Sequence, residues 1–166
     1  MYGSHLLVPR SASERAPTRY RTHLQRLRAS DPAVRAMTDF LRDPPLTATE
    51  DCDLDRALDD MFRLGVRAFL VVRDLAVLGL ITVEDIRHAR RGTARRVVEV
   101  MTGAADMPAI DWQMLQQSTV SDLIEIFEGA CVHHLVVVES ESAQRASVRG
   151  LVQRSRVERR LRQGGA

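Results

Sequence analysis

The sequence contains no lysine and no asparagine, and its 24 basic residues are all arginine, set against 22 acidic residues. We interpret this as the codon bias of a GC-rich bacterial genome, because a net charge of only +2 is small for a protein that binds nucleic acid. Only two cysteines occur, Cys52 and Cys131, and neither lies in a CxxC or metal-ligand spacing. This pattern predicts free thiols in a reducing cytosol.

Long apolar runs and aromatic residues are also scarce. No run approaches the roughly 20 apolar residues of a membrane-spanning helix, and the apolar stretch at residues 6–8 is too short for a signal-peptide core. We therefore expect a cytoplasmic protein without a membrane partner. Aromatic residues make up 4% of the chain and apolar residues 45%, so the core must be built from Leu, Val, Ile and Ala, as in sheets covered by helices.

An internal repeat is the strongest pattern that the sequence does contain. Residues 52–72 align with residues 118–138 at an offset of 66 without a gap. A second shared piece, Gly79-Leu80-Ile81 and Gly150-Leu151-Val152, follows at an offset of 71, so the second copy holds five extra residues. We expect these to lengthen a hairpin loop over 139–149. Because about 60 residues per copy is marginal for an independent core, the two copies should fold together as a pseudo-symmetric pair.

Hydrophobic periodicity predicts the same elements in both copies. The first copy should contain a strand at 46–48, a helix over 51–64 closed by Gly65, a hairpin of strands 66–72 and 77–81, and a helix over 82–90. The second should contain strands at 109–110, 132–138 and 148–152 and helices over 120–130 and 155–161. The fold class is therefore α/β (α+β), with two β-α-β-β-α repeats packed as one module.

The expected domain organisation follows from these elements. Residues 1–32 form a basic N-terminal arm with a short helix over 18–29, residues 33–92 the first repeat, residues 93–162 the second, and residues 163–166 a tail. A further helix is expected over 33–41. The charge is uneven, since residues 145–162 hold seven arginines and one acid, whereas residues 36–86 hold eleven acids and five arginines.

The segment Gly79-Leu80-Ile81-Thr82-Val83-Glu84-Asp85 has the form Gly-apolar-apolar-Ser/Thr-x-x-Asp at the end of a predicted hairpin. Met37-Thr38 and Met101-Thr102 precede the two repeats in matching positions. With the apolar runs 65–72 and 132–138, these features make the chain resemble a tandem pair of CBS (cystathionine β-synthase) domains over about residues 33–162.

This resemblance implies a function. Members of the family bind adenosine compounds such as AMP, ADP, ATP or S-adenosylmethionine in clefts between the paired units, and they regulate rather than catalyse. It implies no required cofactor, a homodimer, a role in energy sensing and an effector protein that the sequence does not identify. No nucleophile–base pair or phosphate loop points to an enzyme.

The resemblance also implies a set of ligand-binding residues. Asp85 would accept hydrogen bonds from the ribose hydroxyls and Thr82, at a helix start, would donate to a phosphate. An apolar slot for adenine is expected from Leu80, Ile81, Phe69 and Leu70. Backbone groups of the first strand, at Leu46, Thr47 and Ala48, would contact the polar edge of the adenine. Arg67 and His134 are weaker candidates for a phosphate contact. The family's proline is absent at Leu70 and Val136.

A purely structural interpretation of the same residues stays open. Thr82-x-x-Asp85 also has the spacing of a helix capping box, which needs no ligand. Arg67 can be a solvated surface charge, and His133-His134 can lie along a half-buried strand without binding a metal.

The second repeat departs from the motif, because Gln153 and Arg156 stand where Ser or Thr and Asp are expected. We therefore predict one competent adenosine site, built around the first repeat, with Arg154 and Arg156 as candidates for a nonstandard anion site. The alternative functions are a ligand-free dimerisation or scaffold protein and a nucleic-acid-binding module that uses the Arg-rich ends.

Overall fold

The structure, a computed structural model, describes residues 6–8, 26–142 and 145–163. The helix predicted over 18–29 falls largely outside these residues, and its described part, 26–29, is not helical. Leu27 from this part is nevertheless only 1% exposed.

The first repeat has the predicted β-α-β-β-α order: β3 (Thr47–Thr49), α1 (Leu54–Leu64), β4 (Ala68–Arg73), β5 (Ala76–Thr82) and α2 (Val83–Ala89), preceded in the chain by β1 (Leu6–Leu7), a 3-10 turn (Ala33–Ala36) and β2 (Thr38–Asp39). Helix α1 begins where the Asp53 side chain accepts hydrogen bonds from the N–H groups of Asp55 and Arg56. It ends at Gly65, whose φ of 71° is the left-handed conformation that favours glycine.

The second repeat follows the same order with an added helix. After a 3-10 turn (Val97–Glu99) and β6 (Thr102–Gly103) come β7 (Ala109–Asp111), α3 (Trp112–Gln117), α4 (Val120–Ala130), β8 (His134–Ser142), β9 (Arg145–Gln153) and α5 (Arg154–Arg162). The fold-class prediction is confirmed, with two pseudo-symmetric repeats of mixed α/β structure.

Two local predictions were wrong, and one helix was missed. The segment predicted as a helix over 33–41 is a single 3-10 turn followed by β2, because residue 37 is already extended and Thr38 and Asp39 pair with β9. Helix α3 was missed, since its six residues are too few to show a period. The insertion in the second repeat lengthens β8 and β9, which pair as far as Ser142 and Arg145, so it extends the strands rather than the loop between them.

One mixed sheet runs through both repeats in the order β3-β4-β5-β1-β9-β8-β7. Strand β1 lies between the two hairpins, antiparallel to β5 and parallel to β9. The short strands β2 and β6 attach to the hairpin of the opposite repeat. Strand β2, which precedes the β-α-β-β-α unit of the first repeat, pairs with β9, and β6, which precedes that unit in the second, pairs with β5.

The packing of the core shows the same exchange. Ala33 and Ala36, which precede the β-α-β-β-α unit of the first repeat, are buried in the core that α4, α5 and β8 form in the second. Val97, which precedes that unit in the second repeat, is buried in the core of the first. A third cluster, which includes Leu70, Leu80 and Val136, lies where the repeats meet. The domain boundaries at 32/33 and 92/93 therefore stay a prediction. The residues that directly follow each boundary pack in the core of the opposite repeat.

Candidate functional site

The predicted motif lies at the end of β5 and in the first turn of α2. Thr82 caps the helix: its Oγ1 accepts from the N–H of Asp85 at 3.2 Å, and Asp85 Oδ2 accepts from the N–H of Thr82 at 2.9 Å and from its hydroxyl at 2.7 Å. The capping box is therefore formed. It occupies one carboxylate oxygen of Asp85, and the other accepts no hydrogen bond from a described residue.

A second capping box shows that this geometry alone does not mark a ligand site. At the start of α4, Asp122 Oδ2 accepts from the N–H of Thr119 at 2.7 Å and from its hydroxyl at 2.9 Å. The N–H of Asp122 donates to Thr119 Oγ1 at 3.3 Å. These two residues are outside the motif, so they provide an internal reference for what a cap does by itself.

The motif glycines allow the exchanged strands to approach closely. A Cβ atom on Gly79 would lie 2.3 Å from the carbonyl oxygen of Thr102, and one on Gly150 would lie 2.4 Å from that of Thr38. These contacts would be far inside van der Waals distance. The glycine that begins each motif is therefore required by the strand that comes from the other repeat.

The junction between the repeats has two halves, the β5–α2 connection of the first repeat and the β9–α5 connection of the second. Backbone hydrogen bonds show that the two halves are equivalent. The N–H that begins α2, on Val83, donates to Arg67 O, and the N–H that begins α5, on Arg154, donates to His133 O. Likewise Ala68 pairs with Thr82 and His134 pairs with Gln153. Arg156 therefore occupies in the second repeat the place that Asp85 occupies in the first, and His134 the place of Ala68.

His134 lies beside the motif of the first repeat although it belongs to the second. Its side chain is 6% exposed, and burial lowers the pKa of the imidazole to about 4, so the ring is neutral at pH 7. The nearby charges that act on it include those of Glu84 and Asp85 on α2. Its Nε2 atom is buried without a hydrogen-bond partner among the described residues, and so is Oε2 of Glu84.

Glu84 on α2 also pairs with Arg67, the residue directly before β4. Its Oε1 accepts a hydrogen bond from the Arg67 guanidinium. Burial acts to raise the pKa of Glu84, but the hydrogen bond from Arg67 and the other favourable contacts outweigh it, so the pKa lies below its usual value. Arg67 is thus an ion-pair partner of α2 and not a free surface charge.

A cleft of about 160 Å³ opens on the other half of the junction. Both repeats line it, with Leu46, Arg67 and Leu70 from the first and Gln153 and Arg156 from the second. The full lining also includes side chains that sequence reasoning did not assign to a site: Thr38, Phe40, Val66, Ala68, Leu151, Ser155 and Arg159.

The structure therefore divides the predicted ligand-binding residues among three places. Leu46, Arg67 and Leu70 line the cleft at the second repeat's motif. Thr82, Asp85 and His134 lie together at the first repeat's motif. Thr47, Ala48 and Phe69 border a separate groove near the start of α1.

The alternation of side chains along a strand corrects the predicted adenine slot. Phe69 and Ile81 face the helices and are buried in the core of the first repeat. Leu70 and Leu80 face the opposite way, into the cluster between the repeats. Successive residues of a strand point to opposite faces, so Phe69 and Leu70 cannot line one slot.

Sequence reasoning missed the position of Thr38 because it depends on strand pairing between distant parts of the chain. Thr38 was noted only as part of a Met-Thr pair that precedes the repeat, yet the exchange of β2 places it against the second repeat's motif. Arg154, a predicted anion contact, instead pairs with Glu158 and Glu128 and does not line the cleft.

Two classes of site find no support in the described part of the chain. No group of three or more His, Cys, Asp or Glu side chains there is placed to hold a metal ion. Nor does any helix there have both the length and the apolar character needed to cross a membrane.

Comparisons with known proteins agree with this architecture. The CBS domain family model matches residues 36–92. No curated protein matches the chain.

Solved structures with the same fold include complexes with adenosine compounds. The CBS domain pair of protein MJ0100, in complex with 5′-methylthioadenosine and S-adenosyl-L-methionine, has a TM-score of 0.58 at 19% identity and covers 80% of this chain and 95% of that one. CBSX2 in complex with AMP has a TM-score of 0.57 at 16% identity, with coverages of 82% and 99%. A hemolysin-like protein containing a CBS domain, from Oenococcus oeni PSU, has a TM-score of 0.56 at 20% identity, with coverages of 80% and 92%.

At these identities the solved structures establish the fold, and the family model establishes the first repeat. Residues 36–92 therefore match the CBS domain family, and the chain as a whole has the fold of a CBS domain pair.

Proposed function

We propose that the chain is a regulatory module that binds an adenosine compound at the junction between its repeats, with Thr82 and Asp85 at the ribose and phosphate. The observation that carries this proposal is a pair of buried atoms beside Asp85, Glu84 Oε2 and His134 Nε2, which have no hydrogen-bond partner among the described residues. A buried polar atom without a partner costs about 1–3 kcal/mol, so a polar ligand that reaches these atoms gains binding energy.

The chemistry of the three side chains suits a nucleoside. An ionised Asp85 carboxylate only accepts hydrogen bonds, and the oxygen that accepts none from a described residue is available to a ribose hydroxyl. A neutral His134 ring has one donor and one acceptor nitrogen, as the polar edge of a purine does. Solved structures of the same fold hold AMP, 5′-methylthioadenosine and S-adenosyl-L-methionine, which supports this ligand class.

Regulation follows from where the site lies. Asp85 and Glu84 belong to one repeat and His134 to the other, so a ligand that contacts all three favours one arrangement of the pair. A ligand shifts such an equilibrium only by its difference in affinity for the two arrangements. We propose that a homodimer transmits this shift to an effector protein, and that the module senses cellular energy if AMP, ADP or ATP is the ligand.

Thermal unfolding of the purified chain with AMP, ADP, ATP, S-adenosylmethionine and GTP tests the proposal. A ligand at 100 times its dissociation constant adds about 2.7 kcal/mol, which raises the Tm by several degrees. We expect this shift with at least one adenosine compound and none with GTP. We also expect the Thr82→Ala/Asp85→Ala variant to lose the shift.

The matched control is Thr119→Ala/Asp122→Ala, which removes the equivalent capping box from α4. Each double variant should lower the free energy of unfolding by about 1 kcal/mol, the usual cost of a lost cap, but only the first should lose ligand binding. If no adenosine compound raises the Tm, or if the Thr82→Ala/Asp85→Ala variant binds as well as the original chain, the proposal is wrong. Thr82 and Asp85 then serve only as a helix cap in a scaffold protein.

A further inference from the structure

Strand β1 lies between equivalent positions of the two repeats. Its Leu7 pairs with Ala76 at the start of β5 and with Ser147 near the start of β9. Ala76 and Ser147 correspond to each other, because the offset of 71 that aligns the motif glycines also aligns these two residues. Strand β1 therefore fills a slot on the pseudo-twofold axis of the module, with one repeat on each side.

The slot is one strand wide. Neighbouring strands of a sheet lie about 4.8 Å apart, so β5 and β9 stand roughly 10 Å apart where β1 separates them. Strand β4 covers one edge of β5, and the other edge is covered by β1 and β6; β9 is covered in the same way by β8 on one edge and by β1 and β2 on the other. Without β1, backbone groups at residues 76 and 146–147 would face a gap whose shape fits an extended segment of chain.

The slot has an apolar side that selects side chains. Leu6 is only 8% exposed and lies in the cluster where the repeats meet, together with Val77 of β5 and Val148 of β9. Val8 packs against the same cluster, and its N–H donates to Leu75 O at 3.0 Å. Since alternate residues of a strand share a face, the slot takes an extended segment with apolar side chains at alternate positions.

Two features make the occupant of this slot replaceable. Strand β1 contributes only two residues to the sheet, whereas strands usually have about five or six. It runs antiparallel to β5 and parallel to β9, and because these strands are equivalent, a segment of the opposite direction would meet the same partners. The slot therefore specifies an extended apolar segment but neither its direction nor a long sequence.

We propose that this slot is an acceptor site for an extended apolar segment of a partner protein, and that β1 is its resident occupant, which the partner's segment displaces. Backbone pairing with β5 and β9 would provide affinity, and the apolar side chains at alternate positions would provide selectivity. The N-terminal strand then competes with the partner from within the same molecule.

This inference goes beyond the proposed function and does not rest on it. The slot lies at the start of β5, where Ala76 is the first residue, whereas Thr82 is the last residue of that strand and Asp85 follows it. Separate variants therefore test the two sites.

Disulfide formation tests whether β1 occupies the slot of its own chain. In a Cys52→Ala/Cys131→Ala background, Leu7→Cys/Ala76→Cys joins two positions that pair directly across antiparallel strands. The Cα atoms of such a pair are about 4.5–5.5 Å apart, which a disulfide can bridge. We expect an intrachain disulfide, formed at least about tenfold faster than in Leu7→Cys/Gln116→Cys, whose second cysteine lies at an exposed position of α3.

Trapping of a peptide in trans tests displacement. The chain carries Ala76→Cys in the same background, and the probe is a peptide with the sequence of residues 3–10 and cysteine in place of Leu7. We expect it to form a mixed disulfide at position 76. A peptide that also has aspartate in place of Leu6 is the matched control and should react at least about tenfold more slowly, because it would bury a charge in the apolar side of the slot.

Two variants of the chain's own strand show that the peptide and β1 compete. Leu6→Asp places a charge on the buried face of β1, and Val8→Pro removes the hydrogen bond to Leu75 O. Each should speed trapping of the first peptide, Leu6→Asp by at least about tenfold. Neither should change the rate at which the same peptide reacts with a Gln116→Cys chain.

Three results would overturn the inference. A disulfide of Leu7→Cys/Ala76→Cys that forms only between two chains assigns β1 to a second copy. Equal reaction of the two peptides shows that the slot does not select apolar segments. A trapping rate that neither Leu6→Asp nor Val8→Pro changes shows that β1 does not compete. Circular dichroism checks that each variant is folded, and Val8→Pro carries the comparison if Leu6→Asp is not.

Discussion

At the junction between the repeats, the β5–α2 connection and the β9–α5 connection occupy equivalent places and carry opposite charge. In each connection the motif glycine lies against a short strand from the opposite repeat. The strand pairing is also in the same register, with Ala68 opposite Thr82 in the first repeat and His134 opposite Gln153 in the second. One continues with Thr82 and Asp85, the other with Gln153 and Arg156. The backbone is therefore equivalent in the two connections, and they differ in the charge of one side chain, Asp85 in the first and Arg156 in the second.

The first residues of β4 and β8 also differ between the repeats. Ala68 in the first repeat corresponds to His134 in the second, so only the half that contains Asp85 also contains a buried imidazole. The structure thus concentrates acceptor and neutral polar groups in one half and cationic groups in the other. Substitutions that make the halves alike, or that separate them, test how much of this asymmetry matters.

The largest effect is expected when the shared feature of both halves is removed. Gly79→Ala and Gly150→Ala would each place a Cβ within 2.4 Å of a backbone oxygen. Each should lower the free energy of unfolding by about 3 kcal/mol, the upper end of the usual cost of overpacking, because a backbone cannot move aside as a side chain can. Urea denaturation measures this loss.

The control for these variants is Gly129→Ala, a position in α4 where a Cβ atom meets nothing within 4 Å. It should be neutral or stabilising by up to about 1 kcal/mol, since alanine is the better helix former. If Gly79→Ala were as mild as this control, the close approach of β6 would not be a feature of the folded protein.

His134→Ala copies the residue of the first repeat into the second and should change how stability depends on pH. The pKa of His134 falls from 6.5 in the unfolded chain to about 4 in the folded one. Between these values the unfolded state binds more protons than the folded state. The free energy of unfolding is therefore at its full value above about pH 6.5 and decreases as the pH falls towards 4. At about pH 5 the loss amounts to about 2 kcal/mol.

Urea denaturation between about pH 8 and pH 5 checks this prediction. The original chain should lose stability over this range, and the His134→Ala variant should lose about 2 kcal/mol less, whatever its stability at pH 8. His133→Ala, at an exposed neighbour, is the control and should retain the slope. An equal slope in the original chain and in His134→Ala would show that the imidazole is not buried in its neutral form.

The smallest effect concerns the residues that end α1 and α4. Gly65 and Cys131 both have positive φ, 71° and 52°, but only glycine adopts this conformation without strain. Gly65→Ala should therefore destabilise the chain by about 1 kcal/mol and Cys131→Gly should stabilise it by up to about 1 kcal/mol.

The midpoint of urea unfolding measures both changes. Gly92→Ala serves as the control, because its φ is not in the positive range and its Cβ would make only an ordinary contact at 3.5 Å with Ala89 O. Changes of the same sign at positions 65 and 131 would contradict the conformational argument.

Local sequence signals were enough to predict much of the fold. The predicted boundaries of α4 match those observed, and Gly65 ends α1 as predicted, because periodicity and a glycine cap act within a few residues. The predictions failed where the signal was short or depended on a distant partner. Helix α3 has too few residues to show a period, and β2 is extended because it pairs with β9, more than a hundred residues further along the chain.

The candidate site was predictable in its parts but not in its assembly. The motif identified Thr82, Asp85 and the contrasting Arg156 from residue types alone. It could not show that Leu46 and Leu70 line the half that contains Arg156, or that His134 lies beside Asp85. Those neighbours come from opposite repeats, so no spacing along the chain encodes their distance.

The sequence by itself determined the twofold repeat, the order of strands and helices within it, and the loss of the acidic residue from the second motif, because each is a pattern of neighbouring residue types. Only the tertiary structure decided which strand meets which motif. Strands β2 and β6 cross to the opposite repeat, and the alternation of side chains along β4 and β5 places neighbouring residues in different cores. The physical reason is that burial and backbone pairing are satisfied between the repeats, since neither repeat is large enough to satisfy them alone.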